Sequence, residues 1–367
     1  MEGRCQFWKD YESISGTVCY CELAAFNRPV NPDFLEKIGC TPEKRKECLG
    51  TMELNIGGGA VPMVTQPPVE QPAPVPVAAA PVVYCDPPPE VAKTVVGVAE
   101  KKAATALPSL ALLAILAGAY IALGAVLFTI VTNDLATYIG DGLSRIIGGM
   151  SFSLGLILVI LGGAELFTGN NLIVAGMLDK RVSPKQVLNN WFWVYLFNFV
   201  GALVVVTLFY YSGIWKANNS AIALRAVNIA YAKATLPWSE AFFRGILCNW
   251  LVCLAVWLSF AAKDAVSKIM GIMIPITAFV AAGFEHSIAN MYFIPMGLIL
   301  RGHEALQGLL NPAVAQGLTW QGFLFNNLVP VTIGNLIGGV IFVAVAYWSA
   351  YLRPLAVSRR MIANGKV

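Results

Sequence analysis

The sequence predicts an all-α integral membrane protein with six spans, built as two inverted repeats of three, in which the second and fifth spans are broken helices. Three observations lead to this class. Hydrophobic residues make up 57% of the 367 residues and charged residues 13%, against about 25% charged in an ordinary soluble domain. The charges are also unevenly spread and leave apolar stretches as long as the roughly 20 residues that cross a bilayer. Finally, two of those stretches carry the same unusual residues. Gly163-Ala164-Glu165-Leu166-Phe167-Thr168-Gly169-Asn170 stands in one, and Gly283-Phe284-Glu285-His286-Ser287-Ile288-Ala289-Asn290 stands in another, 120 positions later. Both read Gly-x-Glu-x-x-x-small-Asn.

Taken in order, charge-free runs cover residues 107–131, 146–164, 187–214, 245–262 and 328–352, and a sixth apolar run, 269–300, is interrupted only by Glu285 and His286. The second run continues past Glu165 to Leu178. It is then too long for one straight helix at about 1.5 Å per residue, and the fifth has the same excess. Each holds its Glu near the middle, so irregular turns are predicted at residues 166–170 and 285–288. A straight, tilted helix with a satisfied Glu is the alternative. Ionisable groups inside a membrane segment mark functional sites by default, and irregular backbone at that depth lines a cavity or is buried in protein.

The repeat extends to Asn198-Phe199-Val200-Gly201 in the third span and Asn335-Leu336-Ile337-Gly338 in the sixth. For these Asn-x-x-Gly pairs, ordinary helix packing is the preferred reading. Three spans is an odd number, so the second copy enters from the opposite side and the solute path lies between the halves. Lys180, Arg181 and Lys185 in one loop, Lys263 and Lys268 in another, and Arg353, Arg359, Arg360 and Lys366 in the tail put both termini in the cytoplasm by the positive-inside rule. The net charge of +4 is largely this bias and carries no nucleic-acid signal.

Residues 1–88 are a different material. They hold Cys5, Cys19, Cys21, Cys40, Cys48 and Cys85, with no span and no targeting pattern. Residues 57–89 read as an extended Pro-rich linker. Cysteine spacing signals a zinc site only weakly, so free thiols in a reducing cytosol, no metal and no cofactor are expected, and the extension is expected to be largely disordered. Residues 89–106 read as a short helix along the cytoplasmic surface. The domains are thus 1–88, a six-span body over 89–355 and a basic tail over 356–367.

Ser151-Phe152-Ser153-Leu154-Gly155-Leu156, the two Glu motifs, Met291 after Asn290, and Val331-Thr332-Ile333-Gly334-Asn335 together resemble the formate–nitrite transporter family, in particular its bacterial formate-channel branch. The resemblance covers residues 89–354. It implies an aquaporin-like protomer in a homopentamer, each protomer with one anion pathway. It also implies a central histidine at His286, a pore-loop threonine at Thr168 and a basic vestibule residue at Lys233. Apolar constrictions would fall on Phe152, Leu156, Leu166, Phe167 and Phe279, and polar pathway groups on Asn249 and Asn290. The Cys-rich extension and Gly169-Asn170-Asn171 depart from the family pattern, and the latter leaves the choice among formate, nitrite, lactate and hydrosulfide open.

The chemistry fits those residues. An isolated ion costs tens of kcal/mol to bury in a low-dielectric medium, whereas protonating a carboxylate of pKa about 4 at pH 7 costs roughly 4 kcal/mol. Crossing as the neutral acid is the cheaper route. Lys233 would attract the anion and His286 would deliver a proton, directly or by passing one along. The other reading of His286 is a neutral imidazole that only donates a hydrogen bond. For Glu165 and Glu285, acceptance of freed backbone N–H groups is preferred to proton relay. Cys248 and Cys253 read as core residues. An enzyme or haem anchor would need ligands that two histidines do not supply. A neutral-solute channel would need no titrating residue. A membrane sensor with a redox-responsive amino-terminal segment remains compatible with residues 1–88.

Overall fold

Helix ends in this chain are set by a few local devices. The Ser183 hydroxyl accepts the Gln186 N–H while the Gln186 side chain accepts the Ser183 N–H, a reciprocal capping box ahead of Pro184. The Asp264 carboxylate accepts the Ser267 N–H in the same way and opens the helix that begins at Ala265. The structure, a computed structural model, describes residues 8–13, 16–21 and 85–354. Two compact units divide the chain, residues 1–79 and 80–367.

In the first unit, β1 (Trp8–Ser13) pairs antiparallel with β2 (Gly16–Cys21), Ser13 opposite Gly16. This hairpin is an addition to the all-α expectation. The expected disorder over the rest of residues 1–84, with Cys5, Cys40 and Cys48, lies outside the described residues, as does the basic tail.

In the second unit, beside the short helices Leu135–Ile139 and Pro312–Gly317, the helices are α1 (Pro88–Ala103), α2 (Leu107–Val131), α3 (Asp141–Leu161), α4 (Ile173–Leu178), α5 (Pro184–Ser212), α6 (Ala221–Ala234), α7 (Trp238–Ala261), α8 (Ala265–Ala281), α9 (Ser287–Leu300) and α10 (Gly322–Leu352). Among the described residues, five of these (α2, α3, α5, α7 and α10) are long and apolar enough to cross a membrane. Helix α10 contains π-helical stretches at Gly322–Leu328, Val340–Val345 and Trp348–Leu352.

Three features differ from the sequence reading. Helix α3 starts at Asp141, because Asp141 and Arg145 pair at 2.7 Å one turn apart on its exposed start and a charge-free window excludes both. Helix α1 buries Val91, Ala92, Val95, Val96 and Ala99 in a cluster with Leu172, Ile173, Val174 and Ala175; its apolar positions recur at helical spacing, so one face seats in protein. Helix α6 was not expected at all. With Arg225 and Lys233 in only 14 residues, it fails both the length and the charge criteria for a span.

The most extensive helix pairings are α2 with α5 and α7 with α10. In lipid, helices gain little from apolar burial and associate through close backbone approach at small residues. A Cβ on Gly118 would lie 1.9 Å from the Asn198 carbonyl oxygen, and one on Gly201 would lie 1.9 Å from that of Ile115. On the other side, a Cβ on Gly338 would lie 2.3 Å from the Ile246 carbonyl oxygen. The glycines of both Asn-x-x-Gly motifs are therefore contact points between helices.

Candidate functional site

The site is built around two places where the chain leaves helical geometry. After α3, Gly163 takes a φ of +73°, and the Ala164 N–H returns to the Val159 carbonyl at 2.9 Å. After α8, Gly283 takes a φ of +75°, and the Phe284 N–H returns to the Phe279 carbonyl at 3.1 Å. Both are left-handed C-caps that a side chain would strain, which explains the first position of the repeated motif.

Beyond each cap the freed backbone groups find partners on neighbouring helices. Glu165 N–H donates to the Leu113 carbonyl at 3.2 Å and Glu285 N–H to the Arg244 carbonyl at 3.3 Å. Asn198 Oδ1 accepts the Phe167 N–H at 2.9 Å, while its Nδ2 donates to the Ala114 and Glu165 carbonyls at 2.7 and 2.9 Å. Asn335 repeats the arrangement, with Oδ1 on the Ser287 N–H at 2.9 Å and Nδ2 on the Gly245 and Glu285 carbonyls at 2.8 and 3.0 Å. The chain then turns helical again, through Gly169–Leu172 into α4 and directly into α9.

The two carboxylates do not accept these backbone donors, contrary to the expectation from sequence. Glu165 receives Lys102 Nζ and Asn170 Nδ2, each at 2.7 Å. Glu285 receives Lys233 Nζ at 2.8 Å, Asn290 Nδ2 at 2.7 Å and Asn327 Nδ2 at 3.1 Å. The asparagine side chains of α5 and α10 reach the backbone first, which leaves each carboxylate to a buried ion pair. Asn190 links Asn170 to the Lys102 carbonyl, and Asn327 links Asn290 to the Lys233 carbonyl.

Linking the two non-helical segments, Thr168 Oγ1 lies 2.9 Å from His286 Nε2, and both residues are buried. His286 also caps α9, its Nδ1 accepting the Ala289 N–H at 3.1 Å. With Nδ1 an acceptor, the neutral ring carries its proton on Nε2 and donates it to Thr168. The Thr168 hydroxyl is thereby left with its own proton to give. Asn249 Nδ2 donates to the Asn335 carbonyl at 2.7 Å and the Thr168 carbonyl at 3.3 Å, and Cys253 Sγ approaches the latter at 3.4 Å. Asn249 thus holds backbone in place, and Asn290 holds the Glu285 carboxylate.

Two cavities lie near the His286–Thr168 pair; His286 lines the larger, and Thr168 lines neither. One, of about 270 Å³, is lined by Phe152, Lys233, Phe279, Glu285, His286 and Phe293, among others. The other, of about 50 Å³, is lined by Lys102, Leu156, Ala164, Leu166, Asn170 and neighbours. The expected constriction residues therefore divide, Phe152 and Phe279 facing the first cavity and Leu156 and Leu166 the second. Phe167 lines neither and packs against Tyr195 and Trp191, with ring centroids at 4.8 and 6.4 Å.

Sequence reasoning missed Lys102, Asn190 and Asn327. A signal for Lys102 existed: Val96-x-Val98-Ala99-x-x-Lys102-Ala103 parallels Val227-x-Ile229-Ala230-x-x-Lys233-Ala234. It marks the last turns of α1 and α6, the two helices that deliver a lysine to each glutamate.

The helices and this polar centre define an integral membrane transport protein. Residues 89–349 match the family described as Formate/nitrite transporter, and the chain belongs to that family. It is 43% identical over 281 residues to a "Probable formate transporter" of Methanothermobacter thermautotrophicus, covering 72% of this chain and 97% of that one. It is 40% identical over 245 residues to the "Formate channel FocA" of Escherichia coli (strain K12), covering 66% and 86%. Among solved structures, a "Pentameric formate channel with formate bound" aligns with a TM-score of 0.61 at 36% identity over 67% of this chain and 98% of that chain.

Proposed function

We propose that this chain is a plasma-membrane channel for small monovalent weak-acid anions, formate foremost, and not an enzyme. It assembles as a homopentamer with one pathway per protomer, and the amino terminus and tail lie in the cytoplasm. The relatives named above support the solute and the assembly. The matching contacts of Glu165 and Glu285, of Asn198 and Asn335, and of Lys102 and Lys233 support an aquaporin-like protomer built from inverted three-helix repeats. In that reading α3 with α4, and α8 with α9, are the two broken helices.

The observation that carries the mechanism is the 2.9 Å contact of Thr168 Oγ1 and His286 Nε2 near two cavities with largely apolar walls. Formate collects in the larger cavity and sheds water between Phe152 and Phe279. Desolvation disfavours its charged form and so raises its proton affinity. Thr168 donates a hydrogen bond to the arriving carboxylate. Because His286 Nδ1 is committed to Ala289, the relay runs through Nε2 alone: Thr168 Oγ1 gives its proton to formate and takes the one on Nε2, and the ring regains a proton at Nε2 from a hydronium ion in the larger cavity that it lines, so that one proton leaves the solution with each formate. The neutral acid then passes Leu156 and Leu166 into the second cavity and ionises in water.

Thr168→Val keeps the shape and removes the hydroxyl. Loss of one hydrogen bond to a charged group, about 1.5–3 kcal/mol, is expected to lower formate flux into vesicles roughly 10- to 100-fold. Nitrite, hydrosulfide and glycerol run alongside in the wild-type protein. Glycerol passage without formate passage would refute the function, and full flux in the valine variant would remove Thr168 from the pathway.

Lys233 is bound to Glu285, and these side chains are only 18% and 4% exposed. Lys233→Ala therefore strands a buried carboxylate, at a cost of about 3–5 kcal/mol. The single variant is expected to lose both thermal stability and apparent affinity for formate. The double variant Lys233→Ala/Glu285→Gln is expected to regain stability but not affinity, measured by thermal unfolding in detergent and by vesicle uptake. Recovery of affinity in the double variant would make Lys233 purely structural.

A further inference from the structure

Three cationic side chains line the larger cavity: Lys233, Arg244 and Arg225. Two are already engaged. Lys233 Nζ lies 2.8 Å from Glu285, and Arg244 Nη2 lies 2.6 Å from Glu240. Arg225 is half-buried, and among the described residues it has no carboxylate within 4.0 Å. Its Nε donates to Thr132 Oγ1 at 3.3 Å, and its guanidinium stands over the Phe128 ring at 6.0 Å. The nearby charges are Asp141 and Arg145, which neutralise each other at 2.7 Å. Arg225 also lines a smaller polar cavity of about 200 Å³ with Thr132, Asp141, Ser144 and Arg145, so it stands where the two spaces meet.

The packing around it is directional. Phe128 meets Phe293 edge to face at 5.8 Å, and Lys233 stands over Phe293 at 5.5 Å. An aromatic pair thus runs from Arg225 to Lys233, on the same helix α6 and about 12 Å apart along its axis. The repeated architecture does not ask for Arg225. Where α6 has Arg225, the aligned position of α1 is Thr94.

We propose that Arg225 is the first binding station for the permeating anion, ahead of Lys233, and that it selects a planar anion with two oxygens. This rests on the anion-channel reading above. A guanidinium matches the paired oxygens of a carboxylate or of nitrite with two parallel N–H donors, and a lone sulfur or halide cannot use that fork. Thr132 and Phe128 fix the side chain, while the remaining N–H donors are open to the cavity. The station concentrates formate before it loses water and leaves the Lys233–Glu285 pair intact.

The test uses the full-length pentamer in vesicles. Arg225→Gln is expected to raise the half-saturating formate concentration about tenfold with less than a twofold change in maximal flux. Arg225→Lys keeps the charge without the fork, and it is expected to restore uptake of hydrosulfide but only part of the affinity for formate. An unchanged half-saturating concentration in Arg225→Gln, beside a wild-type protein that conducts formate, overturns the proposal. A wild-type protein that conducts no formate overturns the channel reading instead. Because the substitutions could also disturb packing, wild-type pentamer is treated with phenylglyoxal and mapped by peptide mass spectrometry. Formate, but not chloride at equal concentration, is expected to protect Arg225. Equal labelling with and without formate overturns the station whatever the variants do.

Discussion

His286→Phe is expected to lower pH-dependent formate uptake about 100-fold or more, the scale of a lost positioned proton donor. The replacement removes the Nε2 donor from Thr168 and also the Nδ1 acceptor from the Ala289 N–H. The second loss is that of a helix cap, about 1 kcal/mol, so a modest fall in thermal stability accompanies it. His286→Asn separates the two effects. Asparagine caps helices well and keeps a polar donor, but it carries no titratable proton. That variant is expected to match the wild type in thermal unfolding and to conduct formate without proton coupling, read from uptake under imposed pH gradients. Proton-coupled uptake that survives in His286→Asn would sink the proposed role of the ring.

The largest structural effect is expected from Gly118→Ala. The new methyl would stand 1.9 Å from the Asn198 carbonyl oxygen, and backbone on both sides leaves nothing flexible to yield. Overpacking alone costs about 1–3 kcal/mol. Displacing Asn198 also withdraws its bonds to Phe167, Ala114 and Glu165, which support the non-helical segment after α3. Loss of more than about 3 kcal/mol follows, with failure to form a stable pentamer by native mass spectrometry. Gly97→Ala is the control. Its Cβ meets nothing within 4 Å, and in a helix interior the change is expected to be neutral or stabilising by about 0.5–1 kcal/mol. Equal behaviour of the two variants would mean that the α2–α5 contact is not tight.

Much of the site was legible in the chain. Glu165, Glu285, Thr168 and His286 stand out because polar residues in apolar runs are costly and so are placed for a reason. The paired glycines Gly163 and Gly283 are equally visible, since each occupies a left-handed turn. The reach of a side chain across the fold was less visible. Lys102 lies 63 residues from the carboxylate it pairs with, in a helix whose buried face is set by packing on α4. Helix α6 escaped notice because a short helix with charges resembles a loop by hydropathy, although it carries both Lys233 and Arg225.

The sequence by itself determined the apolar spans, the doubled Glu motif and the family, because each is a matter of composition and local spacing. Only the tertiary structure decided that Asn198 and Asn335, not the glutamates, satisfy the freed backbone. It also decided that Phe167 turns toward Tyr195, and that Arg225 is the cation of the larger cavity left, among the described residues, without a carboxylate within 4.0 Å. The first of those outcomes depends on which acceptor reaches a freed N–H donor first. That depends on how closely α2 approaches α5 and α7 approaches α10, a distance fixed by glycines far apart in the chain.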